Sequence, residues 1–157
     1  VVRDQTAFTS SSKVEFMPVI KHYLRIRSSP EKIYDALTTK EGVANWWTVQ
    51  TEIGNKTGDL NIFDFGERYH NKMGIVTLQQ NKRVEWQCLE GDKEWIGTTI
   101  TFEVEKEDDH SILRFTHHGW QEETDFFASC NYHWGYYMRS LKLYCETGEG
   151  TPFKGNE

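Results

Sequence analysis

SSPEKIYDALTTKEGVANWW, residues 28–47, reads as two short helices in immediate succession. Ser29 carries a hydroxyl that can cap a helix N-terminus, Pro30 suits the first helical position, where an amide hydrogen is not needed, and Glu31 brings a carboxylate to the first turn. Ile33, Ala36 and Leu37 then fall on one helical face. In KEGVANWW, residues 40–47, Val43 is followed one turn later by Trp46 and Trp47, which predicts a second helix. Neighbouring helical residues diverge by about 100°, so only one of these indoles can point fully inward from it.

The flanking segments follow a period of two. In VIKHYLRIR, residues 19–27, Ile20, His22, Leu24 and Ile26 share one parity and Lys21, Tyr23, Arg25 and Arg27 the other, which predicts a strand. After the helices come VQTEI, DLNIFDF, RYHNKMGIVTLQQ, RVEWQCLE, WIGTTITFEVEKE and SILRFTHHGW, separated by Gly54-Asn55, Gly66, Asn81-Lys82, Gly91-Asp92 and Asp108-Asp109. Six strands with such short turns form an antiparallel meander, and the first strand makes seven. From about Thr124 to Glu146 the pattern is helical: Phe126, Phe127, Cys130, Trp134, Tyr137, Leu141, Tyr144 and Cys145 lie on one broad stripe, and Gly148 supplies a stop.

The order β-α-α-β6-α is satisfied by a curved antiparallel sheet wrapped around the terminal helix, an α+β arrangement in which the gap between sheet and helix becomes a cavity. The stretches SPEKIYDALTTKEGVANWW, GTTITFEVEKEDDHSILRFTHHGW and WGYYMRSLKLYCETGEG resemble the SRPBCC or START-like superfamily. Within it, the chain is most similar to the branch named for the activator of the 90-kDa heat-shock protein ATPase. The resemblance runs from about Val19 to Gly148 and implies the helix-grip fold for a single domain over residues 18–150; the polar, Ser- and Thr-rich residues 1–17 read as a flexible arm, and 151–157 as a short tail. It implies no shared catalytic residues.

Composition narrows the function classes. The 157 residues carry a net charge of −6, against the basic footprint that phosphate-backbone binding demands. Nucleic acid is therefore not an expected partner. No apolar run approaches the roughly 20 residues of a membrane-spanning helix, and VVRDQTAFTSSSK has no hydrophobic signal core, so a cytoplasmic protein is expected. The three cysteines, Cys88, Cys130 and Cys145, lack metal-type spacing and are expected to be free thiols. Phosphate loops, nucleophile elbows and zinc-protease motifs are missing from the sequence, and no cofactor is expected.

Six Trp, seven Tyr and nine Phe exceed what packing alone asks of a domain this size, and some should line the cavity. Strand parity assigns Phe63 and Phe65, then Val84, Trp86 and Cys88, then Thr98, Ile100 and Phe102 to the concave face. In FTHHGW, residues 115–120, parity turns His117 inward with Leu113 and Phe115 and His118 outward, which disfavours a metal pair. The candidate ligand wall therefore contains Trp46 or Trp47 at the mouth, Phe63, Phe65, Trp86, Trp95, Thr98, His117 and Trp120 from the sheet side, and Phe127, Cys130, His133, Trp134 and Tyr137 from the helix.

Three functions fit such a molecule. The first is binding of a small apolar or aromatic ligand. The second is a cyclase- or aromatase-type reaction in which His117, His133 or Tyr137 moves protons. The third is a protein-binding role like chaperone ATPase activation. The sequence leaves the oligomeric state open.

Overall fold

The computed structural model describes residues 17–155. The expected N-terminal arm, apart from Met17, lies outside the described residues. Strand β1 (Ile20–Ile26) is followed by helices α1 (Pro30–Thr38) and α2 (Lys40–Trp46). Six strands come next: β2 (Gln50–Glu52), β3 (Leu60–Phe65), β4 (Tyr69–Gln79), β5 (Arg83–Glu90), β6 (Thr99–Glu107) and β7 (His110–His118). The chain then forms the long helix α3 (Asp125–Thr147). All neighbouring strands are antiparallel in the order β1-β7-β6-β5-β4-β3-β2, so the first strand closes on the last, with Ile20 opposite His117 and Ile26 opposite Ser111. This is the α+β helix-grip fold, a seven-stranded sheet with α3 crossing its concave side.

Local chemistry sets the helix ends. Ser29 accepts from the Lys32 amide, Thr39 from Gly42 and Thr124 from Phe127, each hydroxyl satisfying an amide that the first helical turn leaves unpaired. Gly148 ends α3 at φ 85°, a left-handed conformation that side chains disfavour. Helices α1 and α2 meet backbone to backbone at Gly42, where a Cβ would fall 2.6 Å from the Ala36 Cα. Only glycine permits that approach.

The core lies between the sheet and the three helices. Ile33, Ala36 and Leu37 of α1, Val43 and Trp46 of α2, and Trp134, Met138, Leu141 and Cys145 of α3 meet Phe63, Met73, Val84, Trp86, Ile100, Phe102, Leu113 and Phe115. Both Trp46 and Trp47 are buried. They can be because α2 stops between them: Trp47 caps the helix, and the two indoles stack 5.7 Å apart instead of diverging along a continuing helix. The Trp46 Nε1 donates to the Ala36 carbonyl at 2.8 Å, so the ring enters the core with its polar atom satisfied.

Two boundaries differ from the sequence expectation. WIGTT alternates like a strand, but β6 begins only at Thr99; residues 92–97 form a turn between Gly91 at φ 152° and Gly97 at φ 86°. Trp95 thus stands on a turn that leans against α3. The segment after α3 also packs back. Phe153 donates its amide to the Trp47 carbonyl at 2.8 Å and accepts from the Val49 amide at 3.0 Å. Among the described residues no helix is long and apolar enough to cross a membrane.

Candidate functional site

A cleft of about 290 Å³ opens between the N-terminal half of α3, the β3–β4 end of the sheet and the turn at 92–97. Its aromatic wall is formed by Trp47, Phe65, Tyr69, Trp95, Phe126, Trp134, Tyr137 and Phe153, and its polar lining by Arg68, Asn71, Asp92, Ser129 and His133, with Cys130 between. Trp95 and Trp134 stack at 5.9 Å with an interplanar angle of 11°, and Phe65 packs edge-on to Tyr137 and beside Phe153. Flat, hard walls of this kind accept a planar ring at small conformational cost.

Seven of the expected ligand-wall residues border the cleft: Trp47, Phe65, Trp95, Cys130, His133, Trp134 and Tyr137. The other seven lie behind it. Trp46, Phe63 and Trp86 are core, packed with Trp47 and Phe102. Thr98, His117 and Trp120 are buried on the far side of Trp95 and Trp134, and Phe127 turns edge-on against Trp120 while its neighbour Phe126 takes the place at the cleft. Parity located the inward faces of β3, β5, β6 and β7, where Phe63, Trp86, Phe102 and Phe115 are buried. It contains no information on depth, and large rings in front of a position remove it from the surface.

His117 shows this most clearly. It points inward, His118 is exposed, and the His117 ring is fully buried with every polar atom used. The Trp134 Nε1 donates to His117 Nδ1 at 3.1 Å; the proton must therefore be on Nε2, which donates to Thr98 Oγ1 at 2.8 Å. Thr98 in turn donates to the Trp95 carbonyl at 2.6 Å. Burial, with a smaller contribution from His118, pushes the imidazole down to about 3. A histidine with no free lone pair and no path to solvent is a structural tie, not a general base.

His133 is in the opposite situation. Its Nδ1 lies 2.8 Å from the Ser129 carbonyl, which can only accept, so the neutral ring carries its proton on Nδ1 and keeps a lone pair on Nε2 at the exposed cleft rim. Tyr137, one turn further, has its phenol raised by burial and then by Tyr136. Cys130 is pushed up to about 11 chiefly by burial, against the Trp95 indole N–H that donates to its sulfur at 3.3 Å, and it stays a thiol rather than a nucleophilic thiolate. Among the described residues no three His, Cys, Asp or Glu side chains converge in a metal-holding group.

Sequence reasoning missed Arg68, Tyr69, Asn71, Asp92, Phe126, Ser129 and Phe153 at the cleft. Asn71 had a usable signal: it shares strand parity with Met73 and Ile75 and interrupts an inward apolar row. Phe153, in the segment taken for a tail, had none.

The family model described as Activator of Hsp90 ATPase homolog 1-like protein matches residues 27–146. A solution structure described as the Aha1 dimer from Colwellia psychrerythraea is 39% identical, covering 85% of this chain and 100% of that one, with a TM-score of 0.78. The crystal structure of protein SSP2350 from Staphylococcus saprophyticus has a TM-score of 0.70 at 16% identity, covering 88% of this chain and 98% of that one. DynU16, described as a putative protein in the dynemicin biosynthetic locus, gives 0.70 at 16% identity over 88% of this chain and 51% of its own. At 16% identity the last two show the fold alone. No protein with a curated description matches the sequence.

Proposed function

Because the chain belongs to the Activator of Hsp90 ATPase homolog 1-like protein family, we propose that its helix-grip domain binds a small apolar or aromatic molecule in the cleft between α3 and the sheet. The observation that carries this reading is the cleft itself: about 290 Å³ of space walled by aromatic rings with a few polar groups among them. Ligand sites have this composition, and the volume sits just below their roughly 300–1,000 Å³ range, which suits a molecule of one or two rings. The test is a titration with the uncharged fluorescent probe N-phenyl-1-naphthylamine against the protein and Ser129→Trp, whose added indole fills the mouth from an exposed helical position. Saturable binding that the variant loses supports the reading. Absent binding, or binding that the variant retains, refutes it.

Catalysis is the second reading, favoured by one observation, the Nε2 lone pair of His133 held at the rim by the Nδ1 bond to Ser129. Proton transfer to or from an enolisable substrate would then use His133 and not His117. A protein-binding role is the third, since the family description refers to the Hsp90 ATPase and the Colwellia relative is described as a dimer. Exposed Tyr132 and Tyr136 on α3 and Tyr23 on β1 supply apolar surface for a partner. Acceleration of an Hsp90 ATPase on addition of the protein, undiminished by Ser129→Trp, would favour this role over the cleft.

A further inference from the structure

Asn71 is 4% exposed, lines the cleft, and its side-chain amide has no hydrogen-bond partner among the described residues. Its Oδ1 is turned toward Gly91, where a Cβ would come within 2.6 Å of it, and its NH₂ is a donor that a ligand in the cleft can use. Its polar atoms open onto the cleft, where an amide can exchange water for a ligand group.

Arg68 lies three residues earlier, on the β3–β4 turn, exposed and lining the same cleft. Arg25 pairs with Glu107, Arg83 with Glu85 and Glu103, and Arg114 with Glu105, while Arg27 donates to His110. Arg68 and Arg139 have neither an ion pair nor a hydrogen bond among the described residues, and of the two only Arg68 lines the cleft. Asp92 is the one carboxylate in the described lining, and its Oδ1 is engaged by the Glu94 amide of its own turn at 2.9 Å. A cation and an amide donor therefore line the aromatic-walled cleft, with the opposing charge partly occupied.

We propose that the cleft selects an aromatic carboxylate, its ring among the indoles and its anionic end held by the Arg68 guanidinium and the Asn71 amide. The proposal rests on the cleft being a ligand site, as put forward above. A guanidinium and an amide NH₂ both donate to carboxylate oxygens, and charge-assisted bonds of this type are about twice as strong as neutral ones. An uncharged isostere offers the guanidinium no charge to pair.

The test compares 2-naphthoate with 2-naphthamide by quenching of indole emission, in the wild type, Arg68→Gln, Arg68→Lys and Asp92→Asn, with melting curves confirming that each variant folds. The wild type should prefer the acid by about tenfold. Arg68→Gln should abolish that preference by weakening the acid several-fold more than the amide, Arg68→Lys should retain part of it, and Asp92→Asn should tighten the acid alone. Asn71→Ser, which shortens the donor, should weaken both ligands with the larger loss for the acid. Equal affinity for both ligands in the wild type, or an equal loss of both in Arg68→Gln, overturns the proposal and leaves the cleft as a neutral binding site. If neither ligand binds, the reading of the cleft falls together with the proposal.

Discussion

Replacing His117 by glutamine tests whether the buried imidazole is held neutral. In the folded chain it titrates at about 3, against 6.5 for the ordinary group. Above 6.5 neither state binds the proton and the site makes no difference. As pH falls below 6.5 the unfolded chain takes up a proton that the folded chain refuses, so stability is lost progressively until the folded group also titrates near 3. The slope is roughly 1.4 kcal/mol per pH unit well inside that window, and integrating from pH 7 to pH 5 gives a loss of about 2 kcal/mol from this one residue. Glutamine can accept from Trp134 Nε1 through its oxygen and donate to Thr98 Oγ1 through its NH₂, keeping the tie without a titrating group. It should cost about 1–3 kcal/mol at pH 7 through imperfect packing against Trp95 and Trp120. Urea unfolding at both pH values gives the double difference, in which titrations common to both proteins, including that of His22, cancel. The wild type should lose about 2 kcal/mol more than the variant on acidification. Equal losses would show that His117 is protonated in the fold, or reached by water, and the bonding scheme drawn for it would be wrong.

Leu141→Asp should unfold the domain, because position 141 is fully buried where α3 meets the core; a far-ultraviolet melting curve like that of the parent would contradict the helix placement. Titration with a thiol reagent should count three cysteines after unfolding and find them slow to react in the native protein, since burial raises Cys88 and Cys130 to about 11 and Cys145 to about 12. Gly42→Ala should lower stability by about 2 kcal/mol or more, as its methyl group meets Ala36 backbone that neither helix can easily move; an unchanged melting temperature would show that α1 and α2 separate readily.

The architecture was legible because each element declares itself locally. Ser29-Pro30 and Gly148 mark helix ends through chemistry that operates within four residues, and alternation along β3, β5, β6 and β7 assigns faces the same way. The cleft was legible by half because it depends on relations that alternation does not encode. Trp86 and Trp95 read alike in sequence, yet one is enclosed by Trp47, Phe63 and Phe102 while the other is carried on a turn whose glycines interrupt the strand. Phe153 reaches the cleft through two backbone hydrogen bonds to the chain around Thr48, a contact with no local pattern behind it.

The closure of β1 on β7 has a consequence for how the chain is made. Strands β2 to β6 can pair as they leave the ribosome, each with the neighbour just synthesised. Strand β1 cannot: its sheet partner spans His110–His118, so Ile20, Leu24 and Ile26 remain in an unpaired apolar strand until most of the domain has been translated. Contacts so distant in sequence form slowly, and an open edge of this kind is a template for pairing between chains. A nascent or truncated chain that stops before His110 therefore carries a bare β1 and a bare β6, two edges that in the finished domain are joined through β7, and such fragments should find each other before they find the fold.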